Sequence, residues 1–276
     1  MHLHFQHSTN MDTKNLKIAI IGAGNMGGAI ARGLSKGTLI NSKNISVSDI
    51  SNDNLAAIKQ FDAAINTSNS NEAIIKDADI IILAVKPWLV EVIADEIEDK
   101  IDYKKQILVS IAAGVDVLRL TNLFDDEACL FRVIPNTAID VLQSVSTISS
   151  FQATKEQEAL ILAIFNEMGK TFLVPESQLN AFMSLSSCGI AYAFRYIRAA
   201  TEGGVEMGIY PHIAKEVVLQ TLRGAIELLE ATGAHPEAEI DKVTTPGGIT
   251  IKGLNEMEAN GFSNAVIKGL KASLIK

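Results

Sequence analysis

The sequence predicts an α/β domain built on a parallel sheet, followed by an all-α domain. Three observations carry that expectation. Short β-branched apolar runs alternate with amphipathic helical stretches as far as about Phe151, which is the pattern of strand–helix–strand crossovers with helices on both faces of a sheet. Strand signals nearly vanish after Pro175, where long helical periodicities take over. The first strand also runs directly into a glycine-rich turn, Gly22-Ala-Gly-Asn-Met-Gly27.

Each element has its own signal. Lys17–Gly22 is an apolar run ending in glycine, a short buried strand. In Asn25–Lys36, the residues Met26, Ala29, Ile30, Gly33 and Leu34 recur on one helical face. Ile45–Asp49 reads as the second strand, Leu55–Phe61 as the second helix and Ala64–Asn66 as a short third strand. Asn71–Asp77 is helical, with Asn71 or Ser70 placed to cap it. Asp79–Val85 is a β-branched buried strand ended by Pro87. Gln106–Ile111 and Cys129–Ile134 flank a helix at Asp116–Phe124, and Ser144–Ser150 alternates as one more strand.

Thr154–Gly169 is an amphipathic helix and Thr171–Pro175 a short extended piece. Gln178–Met207 reads as one long helix rich in small residues, followed by helices at Pro211–Thr232 and Gly253–Lys276. The organisation expected is a disordered leader at 1–15, an α/β domain at 16–168 and a helical domain at 169–276. Leu219, Leu222, Ile226, Leu228 and Leu229 give one of these helices an apolar face too broad for a small domain to bury alone. A second copy of the chain would cover it, so a homodimer is expected.

Composition narrows the function. The chain has 276 residues, 47% hydrophobic, with a net charge of −8, and a mean hydropathy of +0.21. Such an acid balance argues against nucleic acid or an anionic membrane as the main partner. The most apolar stretch, Ala78–Ile93, is broken by Lys86-Pro87 and Glu91, so no bilayer span is expected. Cys129 and Cys188 lie far apart with no metal-ligand spacing, which fits reduced thiols in a cytoplasmic protein and no metal site. The first fifteen residues include His2, His4 and His7 but neither the basic start nor the apolar block of a signal peptide. Met11 offers a second start.

The glycine-rich turn carries the first chemistry. Gly22-x-Gly24-x-x-Gly27 follows a buried strand, opens a helix, and is followed about twenty residues on by Asp49 at the end of the next strand. Gly22 makes the tight turn, Gly24 lets the backbone approach a pyrophosphate, and Gly27 lets the helix lie close to the strand. Asn25 and Met26, at the helix start, offer free N–H groups to phosphate. This is the Rossmann-type fingerprint of a dinucleotide site. Asp49 would accept from the adenosine ribose hydroxyls, which favours NADH; yet Ser48, Ser51 and Asn52 could turn donors toward the extra phosphate of NADPH. Asp49 could also simply cap the next segment. Ala84, Lys86 and Pro87 follow a buried strand at the carboxyl edge, where such sheets bind ligands. As bare residues, Lys86 could equally be solvated, and Asn71 and Asn136 could be ordinary loop formers.

A second turn, Thr244-Thr-Pro-Gly-Gly-Ile-Thr250, lies near the other end of the chain. Proline and two glycines expose backbone N–H groups ahead of a helix, which suits a small carboxylate. A helix-capping turn is the plainer reading. No lysine falls between Lys170 and Lys215, so the long helix lacks the lysine that a β-hydroxyacid or 6-phosphogluconate dehydrogenase needs as its acid. A reduction that demands little acid catalysis suits that helix better than reduction of a ketone.

Together these segments resemble the pyrroline-5-carboxylate reductases. Ile21-Gly-Ala-Gly-Asn-Met-Gly27, Leu83-Ala-Val-Lys-Pro87, Ser110-Ile-Ala-Ala-Gly-Val115, Arg132-Val-Ile-Pro-Asn-Thr137 and Asp241-Lys-Val-Thr-Thr-Pro-Gly-Gly-Ile-Thr-Ile251 occur in the order seen in that family. The resemblance runs from about Lys17 to the C-terminus. It implies reduction of 1-pyrroline-5-carboxylate to L-proline, with NADPH favoured and NADH left open by Asp49. It also implies a Rossmann-type domain followed by a helical dimerisation domain like the C-terminal part of 6-phosphogluconate dehydrogenase, often assembled further into a decamer. Thr250 would hydrogen-bond the ring nitrogen, and Thr245, Gly247 and Gly248 would hold the carboxylate. Asn71 would lie beside the adenosine half and Asn136 near the nicotinamide.

Two segments depart from the family pattern. In 134–144, Ile134 replaces a methionine, Ala138 a proline and Ser144 a glycine. In 186–192, Ser187 replaces a glycine, Cys188 a serine and Ile190 a proline, which predicts a straighter helix there. The alternatives are a divergent paralogue acting on another small imine or keto acid, or a dinucleotide-binding protein without turnover.

Overall fold

The structure is a computed structural model that describes residues 13–274. The three histidines of the expected leader lie outside the described residues, whereas Thr13–Asn15 form one 3-10 turn.

Eight strands form a single sheet: β1 (Ile18–Ile21), β2 (Ile45–Ser48), β3 (Asn66–Ser68), β4 (Ile80–Leu83), β5 (Ile107–Ser110), β6 (Leu130–Ile134), β7 (Ser144–Phe151) and β8 (Gly169–Leu173). Their order is β3-β2-β1-β4-β5-β6-β7-β8. Pairing is parallel from β3 through β6, with Ile18 beside both Ile45 and Ile80. The wholly parallel sheet expected from sequence is corrected at β7, which runs antiparallel to β6 with Val133 opposite Ile148. The cause is the connection from Ile134 to Ser144. It holds only the 3-10 turn Thr137–Val141 and a left-handed Leu142 at φ 58°, too little chain for the crossover that a parallel pair requires. The extended piece expected at Thr171–Pro175 is β8, parallel to β7.

Alternate side chains of the central strands feed two cores, one on each face of the sheet. On one face, Ile18, Ile20, Ile80 and Ile82 pack with Ile30 and Leu34 of α1 (Asn25–Lys36), Ile58 of α2 (Asn52–Phe61) and Ile161 and Phe165 of α6 (Lys155–Asn166). On the other, Ala19, Ile21, Ile81 and Leu83 pack with Ile75 of α3 (Asn71–Ile75), Val90, Ala94 and Ile97 of α4 (Val90–Ile97), and Leu120 of α5 (Val117–Leu123). Burial of each such Ile or Leu contributes roughly 1.5–3 kcal/mol. Helix α4 has no counterpart among the sequence expectations. Ser70, one of the two expected caps of α3, accepts from the Ala73 N–H, and Asp116, expected inside its helix, is instead the cap of α5, accepting from the Arg119 N–H.

One compact unit of the chain runs to Ser187, past the boundary expected at 168, and a second covers Cys188–Leu274. The single helix expected at Gln178–Met207 is three elements: α7 (Glu176–Met183), a π-helical segment at Ser184–Cys188, and α8 (Gly189–Glu206). Helix continues through the positions of the lost glycine and proline, with π-helical bonding over Ser184–Cys188. Ser184 and Ser186 donate back to the carbonyls of Asn180 and Phe182, a bond that bends helices, and Ser187 donates instead to the carbonyl of Pro135.

The second unit continues with α9 (Pro211–Thr232), α10 (Pro236–Lys242), α11 (Ile249–Ala259) and α12 (Phe262–Ala272). The helix expected over Gly253–Lys276 is divided at Gly261, whose φ of 81° ends α11. Helices α8 and α9 cross at Gly204, where an added Cβ would stand 2.9 Å from the Cβ of Ala214. Those two residues are the only fully buried ones described in the unit. Phe194, Leu219, Ile226 and Leu228 are exposed.

Candidate active site

The glycine-rich turn is shaped by close approach. Gly22 has φ 102°, and its N–H donates to the Ser48 carbonyl at 2.8 Å, tying the turn to the end of β2. A Cβ at Gly27 would lie 1.9 Å from the Gly22 carbonyl oxygen and 2.9 Å from the Cβ of Ala84, so Gly27 and Ala84 together let α1 sit against β4. Gly24 is different. Nothing lies within 4 Å of where its Cβ would point, so that face of the turn is open to a ligand. Gly24 is the N-cap of α1 without a side-chain hydrogen bond, and no acidic residue stands in the first turn. With Asn25 exposed and Met26 half-buried, the helix end is free to receive a pyrophosphate. It stands at β1, where the strand order reverses direction and ligands of such sheets bind. These residues fit a dinucleotide.

Around Asp49 the structure assigns most of the polar atoms. Its carboxylate Oδ2 accepts from the Ala23 N–H at 2.7 Å and from Asn54 Nδ2 at 3.3 Å, and Oδ1 accepts from the Ser51 N–H at 2.7 Å. Ser51, not Asp49, is the N-cap of α2, accepting from the Asn54 N–H. Asn71 accepts from the Ser48 hydroxyl at 2.6 Å and donates to Glu96 at 2.9 Å. On the far side of β1, Lys86 is exposed and Pro87 opens a 3-10 turn at Pro87–Leu89. Lys86 has room to reach a ligand at the strand ends.

The Pro135–Asn136 peptide follows β6 at the same edge and is held from both sides. Ser187 Oγ donates to the Pro135 carbonyl at 3.0 Å, and the Asn136 N–H donates to Ser144 Oγ at 3.2 Å. Asn136 is buried, accepts from the Ala138 N–H and donates to the Ser186 carbonyl at 3.4 Å. Ser144 and Ser187 are two of the departures from the family pattern, and the structure brings them to one peptide unit. Sequence reasoning treated them as separate losses of glycine. The available signal was that both replacements were serine, a residue able to restrain the backbone that glycine leaves free.

The second turn is a type II β-turn. Gly247 has φ 72°, Pro246 precedes it, and the Gly248 N–H donates to the Thr245 carbonyl at 2.9 Å. Thr245 folds over the turn so closely that a Cβ at Gly248 would meet its Oγ1 at 2.5 Å. Gly248 is the N-cap of α11, again without a side-chain bond. Thr250 stands exposed in the first turn of that helix, as does Thr245 before it. An open helix end beside a hydroxyl can take a carboxylate and offer a donor or acceptor to a ring nitrogen.

Among titrating groups of the first unit, burial pushes the Cys129 thiol up to about 11, which leaves it inert. The Arg32 guanidinium beside Asp140 holds that carboxyl below its usual range. No group of three or more metal-ligating side chains occurs among the described residues. No helix among them is long and apolar enough to cross a membrane.

Known proteins share this arrangement. Residues 176–276 match the family model described as pyrroline-5-carboxylate reductase dimerisation, and residues 17–114 match the model for NADP oxidoreductases, coenzyme F420-dependent. The chain is 35% identical to a pyrroline-5-carboxylate reductase of Methanosarcina acetivorans, over 94% of this chain and 97% of that one. It is also 35% identical to pyrroline-5-carboxylate reductase 1 of Dictyostelium discoideum, spanning 93% of this chain and about half, 48%, of that longer protein. A crystal structure of Plasmodium falciparum pyrroline carboxylate reductase with NADP bound superposes with a TM-score of 0.86 at 27% identity, covering 95% of this chain and 96% of that one. The open glycine turn, the Rossmann-type sheet and the C-terminal type II turn thus occur in a chain that belongs to the pyrroline-5-carboxylate reductase family.

Proposed function

We infer that the protein reduces 1-pyrroline-5-carboxylate to L-proline with a reduced nicotinamide dinucleotide, the closing step of proline biosynthesis. The single observation that carries the reading is the open type II turn at Thr245–Gly248, in a chain whose first unit holds a dinucleotide fingerprint. The bound nicotinamide supplies a hydride to the ring carbon of the protonated C=N bond. This chain's residues then hold and orient the reactants. Gly22, Gly24, Asn25, Met26 and Gly27 cradle the pyrophosphate; Asp49 and Asn71 serve the adenosine half; Ala84, Lys86, Pro87 and Asn136 line the nicotinamide half. The N–H groups at Gly247 and Gly248 and the Thr245 hydroxyl take the substrate carboxylate. Thr250 Oγ1 would hydrogen-bond the ring nitrogen and hold it in place. Catalysis of this kind rests on orientation more than on a strong acid.

The exposed apolar faces of α8, α9 and α12 support a homodimer formed through the second unit. Sedimentation reads whether dimers stop there or close into the decamer that the resemblance implies. A cytoplasmic location belongs to the same reading, supported by two free thiols. The test is the loss of reduced-nicotinamide absorbance on adding pyrroline-5-carboxylate, with NADH and NADPH in separate assays. Turnover with either supports the reading. Failure to oxidise either, by folded protein that binds the dinucleotide, overturns it.

A further inference from the structure

We propose that this enzyme takes NADH in preference to NADPH, and that Asp49 sets the preference. The inference rests on the dinucleotide site proposed above. Asp49 directly follows β2, which neighbours the glycine-bearing strand β1, the place from which such folds address the adenosine ribose. Its carboxylate is fixed from two elements: Oδ2 takes the Ala23 N–H of the glycine turn, and Oδ1 takes the Ser51 N–H ahead of α2, each at 2.7 Å. Turning the charge away from the ribose would break both of those bonds. Oδ1 still has a lone pair free for a ribose hydroxyl.

A ribose 2′-phosphate would meet the opposite environment. No lysine or arginine occurs from Asn44 to Ile58, and Asp53 adds a second carboxylate in the first turn of α2. Several donors that could answer a phosphate are engaged: Ser48 Oγ donates to Asn71, and the Ser51 N–H and Asn54 Nδ2 go to Asp49. The Ser51 hydroxyl, which accepts from the Asn54 N–H, and the Asn52 amide, which accepts from Asn69, keep donors to give, but these are neutral and offer a phosphate no counter-charge. Arg32, whose Nη1 passes 3.2 Å from where a Cβ on Gly28 would stand, is gripped by both oxygens of Asp140 at 2.8 and 3.0 Å. Lys59 is turned to the Ala63 carbonyl. Ile50 is 97% exposed at the same corner, an apolar surface for the adenine ring and nothing for a phosphate. Like charges brought together without a counter-ion are strongly disfavoured.

Direct binding tests this apart from turnover. Trp88 is the sole tryptophan, two residues past Lys86, so quenching of its emission reports bound dinucleotide, with calorimetry as a second readout. Wild-type protein is expected to bind NADH at least about tenfold more tightly than NADPH, a gap that narrows with added salt. Asp49→Ser should weaken NADH and strengthen NADPH, closing or inverting the ratio. Equal or tighter NADPH binding by the wild type overturns the proposal, whether or not the variant folds. So does a variant that loses affinity for both dinucleotides by the same factor, since that marks Asp49 as a mere tie between turn and helix. If neither dinucleotide binds, the reductase reading fails instead.

Discussion

Ser187 donates to the Pro135 carbonyl at 3.0 Å, joining the π-helical segment to the end of β6. On the same peptide, Asn136 donates to Ser144 at 3.2 Å. Removing one hydroxyl should loosen what the other holds. Ser144→Ala strands a buried N–H and is expected to cost about 1–3 kcal/mol, Ser187→Ala about 0.5–1.5 kcal/mol. Denaturant unfolding of both single variants and the double variant measures the coupling, expected to exceed about 0.5 kcal/mol. Strict additivity would show that the two serines act independently.

Gly24 and Gly27 should fail in opposite ways. Gly27→Ala drives a Cβ into the Gly22 carbonyl, an overpacking that backbone cannot relieve cheaply, so unfolding free energy should fall by about 1–3 kcal/mol or more. Gly24→Val points into open space, and its stability should drop by only about 1 kcal/mol or less. Its dinucleotide affinity should collapse, because the side chain fills the open space proposed for the pyrophosphate. Thermal melts paired with calorimetric binding distinguish the two.

Thr250→Ala should separate binding from chemistry. Alanine is the better helix former, so the first turn of α11 survives. Loss of the hydroxyl proposed to bond the ring nitrogen should lower turnover by about 100-fold, with dinucleotide affinity nearly unchanged. Equal losses in both measurements would give Thr250 a structural role instead.

The Arg32–Asp140 pair gives a pH signature. Hydrogen bonding to Arg32 lowers the Asp140 carboxyl in spite of partial burial. The pair therefore adds stability above the ordinary carboxylate value of 3.8 and loses it as pH falls through the lower folded value. Asp140 is 47% exposed, so screening limits the gain to about 1 kcal/mol. Asp140→Asn should be less stable than wild type at neutral pH and match it once the pH falls below the lowered folded value of Asp140. A difference that persists unchanged in acid would trace the effect to packing.

Much of this fold was legible because its signals are local. The run Ile18–Ile21 can only be a buried strand, and Gly22, Gly24 and Gly27 mark the turn whatever else the chain does. Helices α1 and α9 have the bounds their periodicity predicts. The antiparallel β7 was hidden because direction depends on the length of a connection, not on the strand's own residues. The π-helical segment was hidden for a related reason: the hydroxyl of Ser187 is drawn to Pro135, 52 positions away, and no window around Ser187 contains its partner. At Asp49, sequence supplied the carboxylate and its place at a strand end. Only the structure shows the Ser48 hydroxyl, the Ser51 N–H and Asn54 Nδ2 already committed, which leaves neutral donors alone to compete.

The second unit, with only Gly204 and Ala214 fully buried among its described residues, has a consequence for cells that carry two versions of this gene. A copy spoiled at Gly24 or Asp49 keeps every exposed apolar side chain of α8, α9 and α12. In the homodimer proposed above, such a copy would still be recruited by intact partners. Lesions in the first unit would then be inherited as shared defects of mixed assemblies, whereas lesions that unfold α8 or α9 would leave the intact copies to one another.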